Sequence, residues 1–138
     1  MDWVLDSSVA LAWALPDETS ARAEKFLARV SPKDSLWVPA LWWYEISNAL
    51  VVAQRRRRLA EPESMRVMEL YGRLPVQTDM DLTLDAARRF QVLARAHSLS
   101  VYDAAYLELA QRKSAGLATL DRRLSNAARK ANLKVLSA

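Results

Sequence analysis

Trp3-Val4-Leu5 is apolar at every position and runs directly into Asp6, Ser7 and Ser8. A strand with apolar side chains on both faces has to be covered on both faces, as in a parallel sheet layered between helices. The segments that follow supply that cover. Ser7 to Leu15 reads as a short helix ended by Pro16, and a second helix carries Ala21, Phe26, Leu27 and Val30 before Ser31-Pro32. Leu36-Trp37-Val38 is a short strand stopped by Pro39, and a long helix runs from about Ala40 to Arg58. Glu61-Pro62-Glu63 opens another helix, and Gly72 and Pro75 punctuate the approach to a weak strand at Val76. Helices over Asp81 to Ala96 and Ser100 to about Ser114, a strand at Leu117-Ala118-Thr119, a helix over Asp121 to Ala131 and a last strand at Lys134-Val135-Leu136 complete the chain. This alternation predicts one α/β domain over residues 1–138. Its architecture is a three-layer α/β/α sandwich around a mostly parallel central sheet of about five short strands.

Composition narrows the chemistry. With 138 residues, 51% of them hydrophobic, the chain can bury a proper core. Cysteine is absent and His97 is the single histidine, so thiolate and multi-histidine zinc sites are excluded. The longest apolar run, Leu36 to Tyr44, is broken by Pro39 and falls short of the ~20 residues of a spanning helix. Asp2 stands where a secretory signal would be basic, so a soluble cytoplasmic protein is expected. The net charge of +4 favours polyanionic partners.

Ligands of open α/β sheets gather beyond the carboxyl ends of the strands. Asp6 and Asp121 each follow a strand, although both also suit the N-cap of the next helix. Glu45 lies on the long helix among Leu41, Ala49 and Val52, with Asn48 the one polar neighbour, a setting that solvates a carboxylate poorly. Asp103 forms a capping-box pattern with Ser100, yet Tyr106, Leu107 and Ala110 share its side of the helix. Singly, each acid is explained without chemistry. Gathered at one locus, they would repel one another without a cation, and an oxygen-only cluster suits Mg²⁺ or Mn²⁺. Such ions lower the pKa of bound water and stabilise in-line displacement at phosphorus, so an acidic pocket on a basic protein points to phosphodiester cleavage.

The stretches Val4-Leu5-Asp6-Ser7-Ser8-Val9, Tyr44-Glu45-Ile46-Ser47-Asn48-Ala49, Leu99-Ser100-Val101-Tyr102-Asp103-Ala104-Ala105-Tyr106 and Ala118-Thr119-Leu120-Asp121 resemble the acidic motifs of PIN domains. In particular they are similar to the VapC toxins of toxin–antitoxin pairs, in order and approximate spacing over nearly the whole chain. The resemblance implies a Mg²⁺- or Mn²⁺-dependent endoribonuclease, homodimeric and held inactive by a VapB-like antitoxin. Carried over by position, it makes Asp6 and Asp103 metal ligands, directly or through water. Asp121 then completes the metal site, and Glu45 positions or activates the attacking water. Ser8, Asn48 and Thr119 become groups that orient the carboxylates.

Arg55-Arg56-Arg57-Arg58 ends the long helix, where cations suit the helix dipole and could also hold an RNA backbone. Arg122 and Arg123, beside Asp121, are equally suited to phosphate. Trp13, Trp37, Trp42 and Trp43 are expected mostly in the core. Trp42 and Trp43 point about 100° apart on a helix, so one of them is expected to line a groove in which an antitoxin segment packs near the acids. His97 has no assigned chemistry. Two alternatives remain open: a PIN nuclease of RNA processing without an antitoxin, and a receiver-like Mg²⁺-binding signalling module. Asp6 standing alone after its strand, where such modules carry two adjacent acids, and nothing clearly equivalent to their phosphorylated Asp after Val76, speak against the second.

Overall fold

The computed structural model describes residues 1–136. Strands β1 (Asp2–Leu5), β2 (Ser35–Pro39), β3 (Val76–Asp79) and β4 (Gly116–Ala118) form one parallel sheet in the order β3-β2-β1-β4. Parallel neighbours require helical crossovers. From β1 to β2 the chain passes through α1 (Ser7–Ala14), a 3-10 turn at Pro16–Glu18 and α2 (Ala21–Arg29); from β2 to β3 it passes through α3 (Ala40–Arg55) and α4 (Glu61–Arg73). From β3 to β4 it returns through α5 (Leu84–His97) and α6 (Val101–Lys113), and α7 (Arg122–Lys130) follows. The first crossovers step outward from β1, whereas the last comes back past β1 to its other side. Right-handed crossovers in opposite directions put the helices on opposite faces, which gives the expected three layers. The reversal falls between β1 and β4.

Only Val135 of the last expected strand joins the sheet, as a single parallel bridge to Leu117. β4 is three residues long, so its outer edge has room for little more. The sheet therefore has four strands and one added bridge. The long helix ends at Arg55, short of Arg58, because Arg57 turns to φ 57° and the Arg58 amide closes back on the Ala53 carbonyl at 2.8 Å. The Arg58 guanidinium is drawn instead to Asp17 and Glu18. Similarly, α5 starts at Leu84 because Thr83 caps it, accepting the Ala86 amide at 3.1 Å.

Val4, Leu5, Leu36, Val38 and Leu117 are wholly buried along the sheet. Gly116 lets β4 lie close to β1: a Cβ there would meet the Trp3 ring at 2.7 Å. Trp42 is also wholly buried, edge-on to Trp43 and Tyr71 with ring centres 4.8 and 5.4 Å away. The Tyr71 hydroxyl donates to the Ala10 carbonyl at 2.8 Å and so pins α4 to α1. Trp43 is half-buried against the core and its indole N–H donates to Thr78 Oγ1 of β3 at 2.8 Å. On the other side of the sheet, Arg112 of α6 holds the β3 carboxylate Asp79 at 2.7 Å and the buried Glu108 at 2.9 Å, fixing α6 against the sheet.

Candidate active site

Asp6 sits at the point where the strand order reverses. Its amide donates to the Ala118 carbonyl at 2.9 Å, joining the carboxyl ends of β1 and β4. It occupies the N-cap position of α1, yet its side chain makes no capping bond. Instead, Oδ2 accepts hydrogen bonds from Ser8 Oγ and Thr119 Oγ1, each at 2.7 Å. Each hydroxyl in turn accepts a backbone amide, Ser8 Oγ that of Leu120 and Thr119 Oγ1 that of Asp121, both at 3.0 Å. Each hydroxyl thus accepts from the backbone and donates its own proton to Asp6. Only 5% of Asp6 is exposed. A cap would leave its carboxylate at the helix surface; this one is turned inward and oriented by the two hydroxyls.

The other acids arrive near helix starts, those of α3 and α7 directly after strands and that of α6 after α5. Glu45 is half-buried in the second turn of α3, and Asp103 is half-buried in the first turn of α6, its amide donating to Ser100 Oγ at 3.1 Å. Asp121 is exposed and caps α7, accepting the Leu124 amide at 2.9 Å. Burial raises the pKa of Asp6, offset in part by Thr119 and Ser8, with Asp121 adding repulsion. Burial likewise raises Glu45, with a counteracting hydrogen bond from Tyr106 and repulsion from Asp6 and Asp103. Asp103 is raised by burial, then by Asp121 and Asp6. Distant in sequence, the acids share one field.

Among the described residues no three His, Cys, Asp or Glu form a ready-made ligand cage. A hard ion such as Mg²⁺, which keeps much of its water and takes only one or two carboxylates directly, does not require such a cage. The donors are all oxygens, and the helix N-termini add positive potential around them.

Of the groups expected to orient carboxylates, Ser8 and Thr119 touch Asp6, whereas Asn48 is exposed and makes no side-chain hydrogen bond among the described residues. Arg122 and Arg123 are exposed in the first turn of α7, next to Asp121. Arg55 and Arg56 are exposed as well, but lie about 15 Å along the α3 axis from Glu45. In the sequence Tyr106 is placed only on the Asp103 side of its helix. The structure shows its hydroxyl donating to Glu45 Oε1. A buried tyrosine needs a partner for its hydroxyl, and an acid three residues away on the same helix face was the available signal.

The crowding has a consequence for stability. Asp6, Glu45 and Asp103 titrate higher in the folded protein than in the unfolded chain. Between the unfolded carboxylate range of about 4 and these raised values, the folded state retains protons that the unfolded state has lost, so stability falls as pH rises. Asp79 and Asp17, held low by Arg112 and Arg58, act below that window. Metal-free protein is therefore expected to melt at a higher temperature at about pH 5 than at about pH 7.5, and Mg²⁺ is expected to restore the loss at the higher pH. Calorimetry with and without chelator checks this; a metal-free melting temperature flat across the window would count against the crowding.

A family model of the PIN domain matches residues 3–130. The chain is 33% identical to ribonuclease VapC3 of Pyrobaculum aerophilum over 129 residues, covering 91% of this chain and 93% of that protein. Among solved structures it resembles VapBC2 of Rickettsia felis, with a TM-score of 0.66 at 11% identity over 98% of this chain and 97% of that one. It also resembles a toxin–antitoxin complex from Klebsiella pneumoniae, with a TM-score of 0.58 at 18% identity over 86% and 85% of the two chains.

Proposed function

The chain belongs to the PIN-domain family, and from that premise we propose that it is a Mg²⁺- or Mn²⁺-dependent endoribonuclease, the toxin of a toxin–antitoxin pair. The observation that carries the reading is the Asp6 carboxylate, buried at the sheet's reversal point and oriented by Ser8 and Thr119 toward a locus that Glu45, Asp103 and Asp121 also charge. Asp6 and Asp103 would hold the divalent ion, and Asp121 would complete its site. When bound, the ion lowers the pKa of water and neutralises charge building on the phosphoryl oxygens. Glu45 orients the attacking water and accepts its proton, a role suited to a carboxyl whose pKa is raised by burial. Arg122 and Arg123 meet the flanking phosphates, and Arg55 and Arg56 follow the strand further out.

A VapB-like antitoxin is the partner that keeps the enzyme silent. The homodimer places a second copy over the exposed apolar residues Met80, Leu82, Leu84, Val101 and Tyr102. Among the described residues no helix is long and apolar enough to cross a membrane, and the cytoplasm is where such a toxin meets RNA. The receiver-like reading loses its phosphoacceptor: the acid that ends β3, Asp79, is bound by Arg112 and lies on the edge strand, with β2 between it and β1.

The test is purified protein on structured RNA. Fragments are expected with Mg²⁺ or Mn²⁺, none with chelator and none after adding the antitoxin, and the protein is expected to sediment as a dimer. Cleavage that survives chelation would overturn the metal mechanism.

A further inference from the structure

Tyr106 is wholly buried in α6, where packing alone asks only for a phenyl ring. Its hydroxyl reaches from α6 to α3 and donates to Glu45 Oε1, 61 positions away in the chain. Building on the ribonuclease reading, we propose that Tyr106 is the positioning residue for Glu45: its phenol occupies one carboxylate oxygen and fixes the direction in which the other meets the attacking water.

The surroundings make such a device necessary. Glu45 is faced by Asp6 from the end of β1, by Asp103 and Tyr106 from α6 and by Ser7 from α1. Burial and the two like charges favour a protonated Glu45, which could not take a proton from water. Tyr106 and, to a smaller degree, Ser7 act in the opposite sense, because a hydrogen bond donated to the ionised form stabilises it. A lysine or arginine would do the same, but its charge would compete with the divalent ion for the acids. A phenol avoids this. Burial, together with the Asp6 and Glu45 charges, pushes its own pKa upward, so it stays a neutral donor. The side chain is locked by the core around it, so the direction of its hydroxyl is set by the fold.

Tyr106→Phe keeps the ring and removes the donor. The expected result is a kcat lowered about 10- to 100-fold with an unchanged KM for RNA, since the phosphate contacts and the metal ligands stay in place. In a Glu45→Gln background the same substitution is expected to cost nothing further, because the group it positions is gone. In metal-free protein, independently of any nuclease assay, the Glu45 carboxyl carbon is expected to titrate at higher pH in Tyr106→Phe than in wild type. An unmoved Glu45 titration, or a loss that adds in full to that of Glu45→Gln, would overturn the positioning role. A wild type that cuts no RNA would instead strike at the ribonuclease reading, while the carboxyl titration still decides whether Tyr106 governs Glu45.

Discussion

Asp6→Asn is expected to lower RNA cleavage by about a thousandfold or more, on the order of 4 kcal/mol of transition-state stabilisation, while leaving the fold as stable as wild type or more so. The two halves have one cause. Asparagine fits the same space and its carbonyl oxygen still accepts from Ser8 and Thr119, so the joint between β1 and β4 survives. What disappears is the charge, and that charge is costly to the folded protein: it is buried and repelled by Asp121. Removing it relieves desolvation at neutral pH but takes away the ligand around which the ion is held. Parallel measurements of cleavage rate and melting temperature check both halves. A variant that lost activity only because it unfolded would show a lowered melting temperature and contradict this account.

Trp42→Ala is expected to destabilise the protein by about 3–5 kcal/mol, a large share of the total of about 5–15 kcal/mol typical of such domains. Trp42 is wholly buried and edge-on to two aromatic rings, one of them Tyr71, through which α4 is tied to α1. Truncation opens a cavity beneath α3, the helix that carries Glu45. Among the described residues the indole N–H of Trp42 has no hydrogen-bond partner. Trp42→Phe, which keeps an aromatic ring and discards that buried N–H, should therefore cost far less than its lost volume suggests. Urea midpoints of the two variants, at unchanged slope, make the comparison. Equal losses in both would show that the ring contacts are not what holds α3.

Most of the fold was legible because its signals are local. Apolar runs cut by Pro16, Pro39, Gly72 and Pro75 mark where elements begin and end, and the alternation of strands with helices leaves few architectures. The strand order was not legible. It depends on where β4 inserts, and nothing near Gly116 says that it lies beside β1. The same is true of Asp6: capping residue and inward-turned carboxylate look alike in sequence, and the choice is made by Thr119, 113 residues away. The hydrogen-bond partner of Trp43, Thr78, is on another strand, and that of Tyr106, Glu45, is on another helix, so neither bond has a local signal. Arg57 takes a conformation normally left to glycine, and no helical period could reveal it. Contacts between distant segments carry no local signal, and at Asp6 it was the family resemblance rather than the local pattern that pointed to Ser8 and Thr119.

The gathering of acids around a divalent ion is tested most directly by titrating Mn²⁺ into metal-free protein and following bound ion by electron paramagnetic resonance. Saturable binding is predicted for the wild type, weakened at least about tenfold in Asp6→Asn and again in Asp103→Asn. Identical isotherms for all three proteins, or no binding by the wild type, would contradict it.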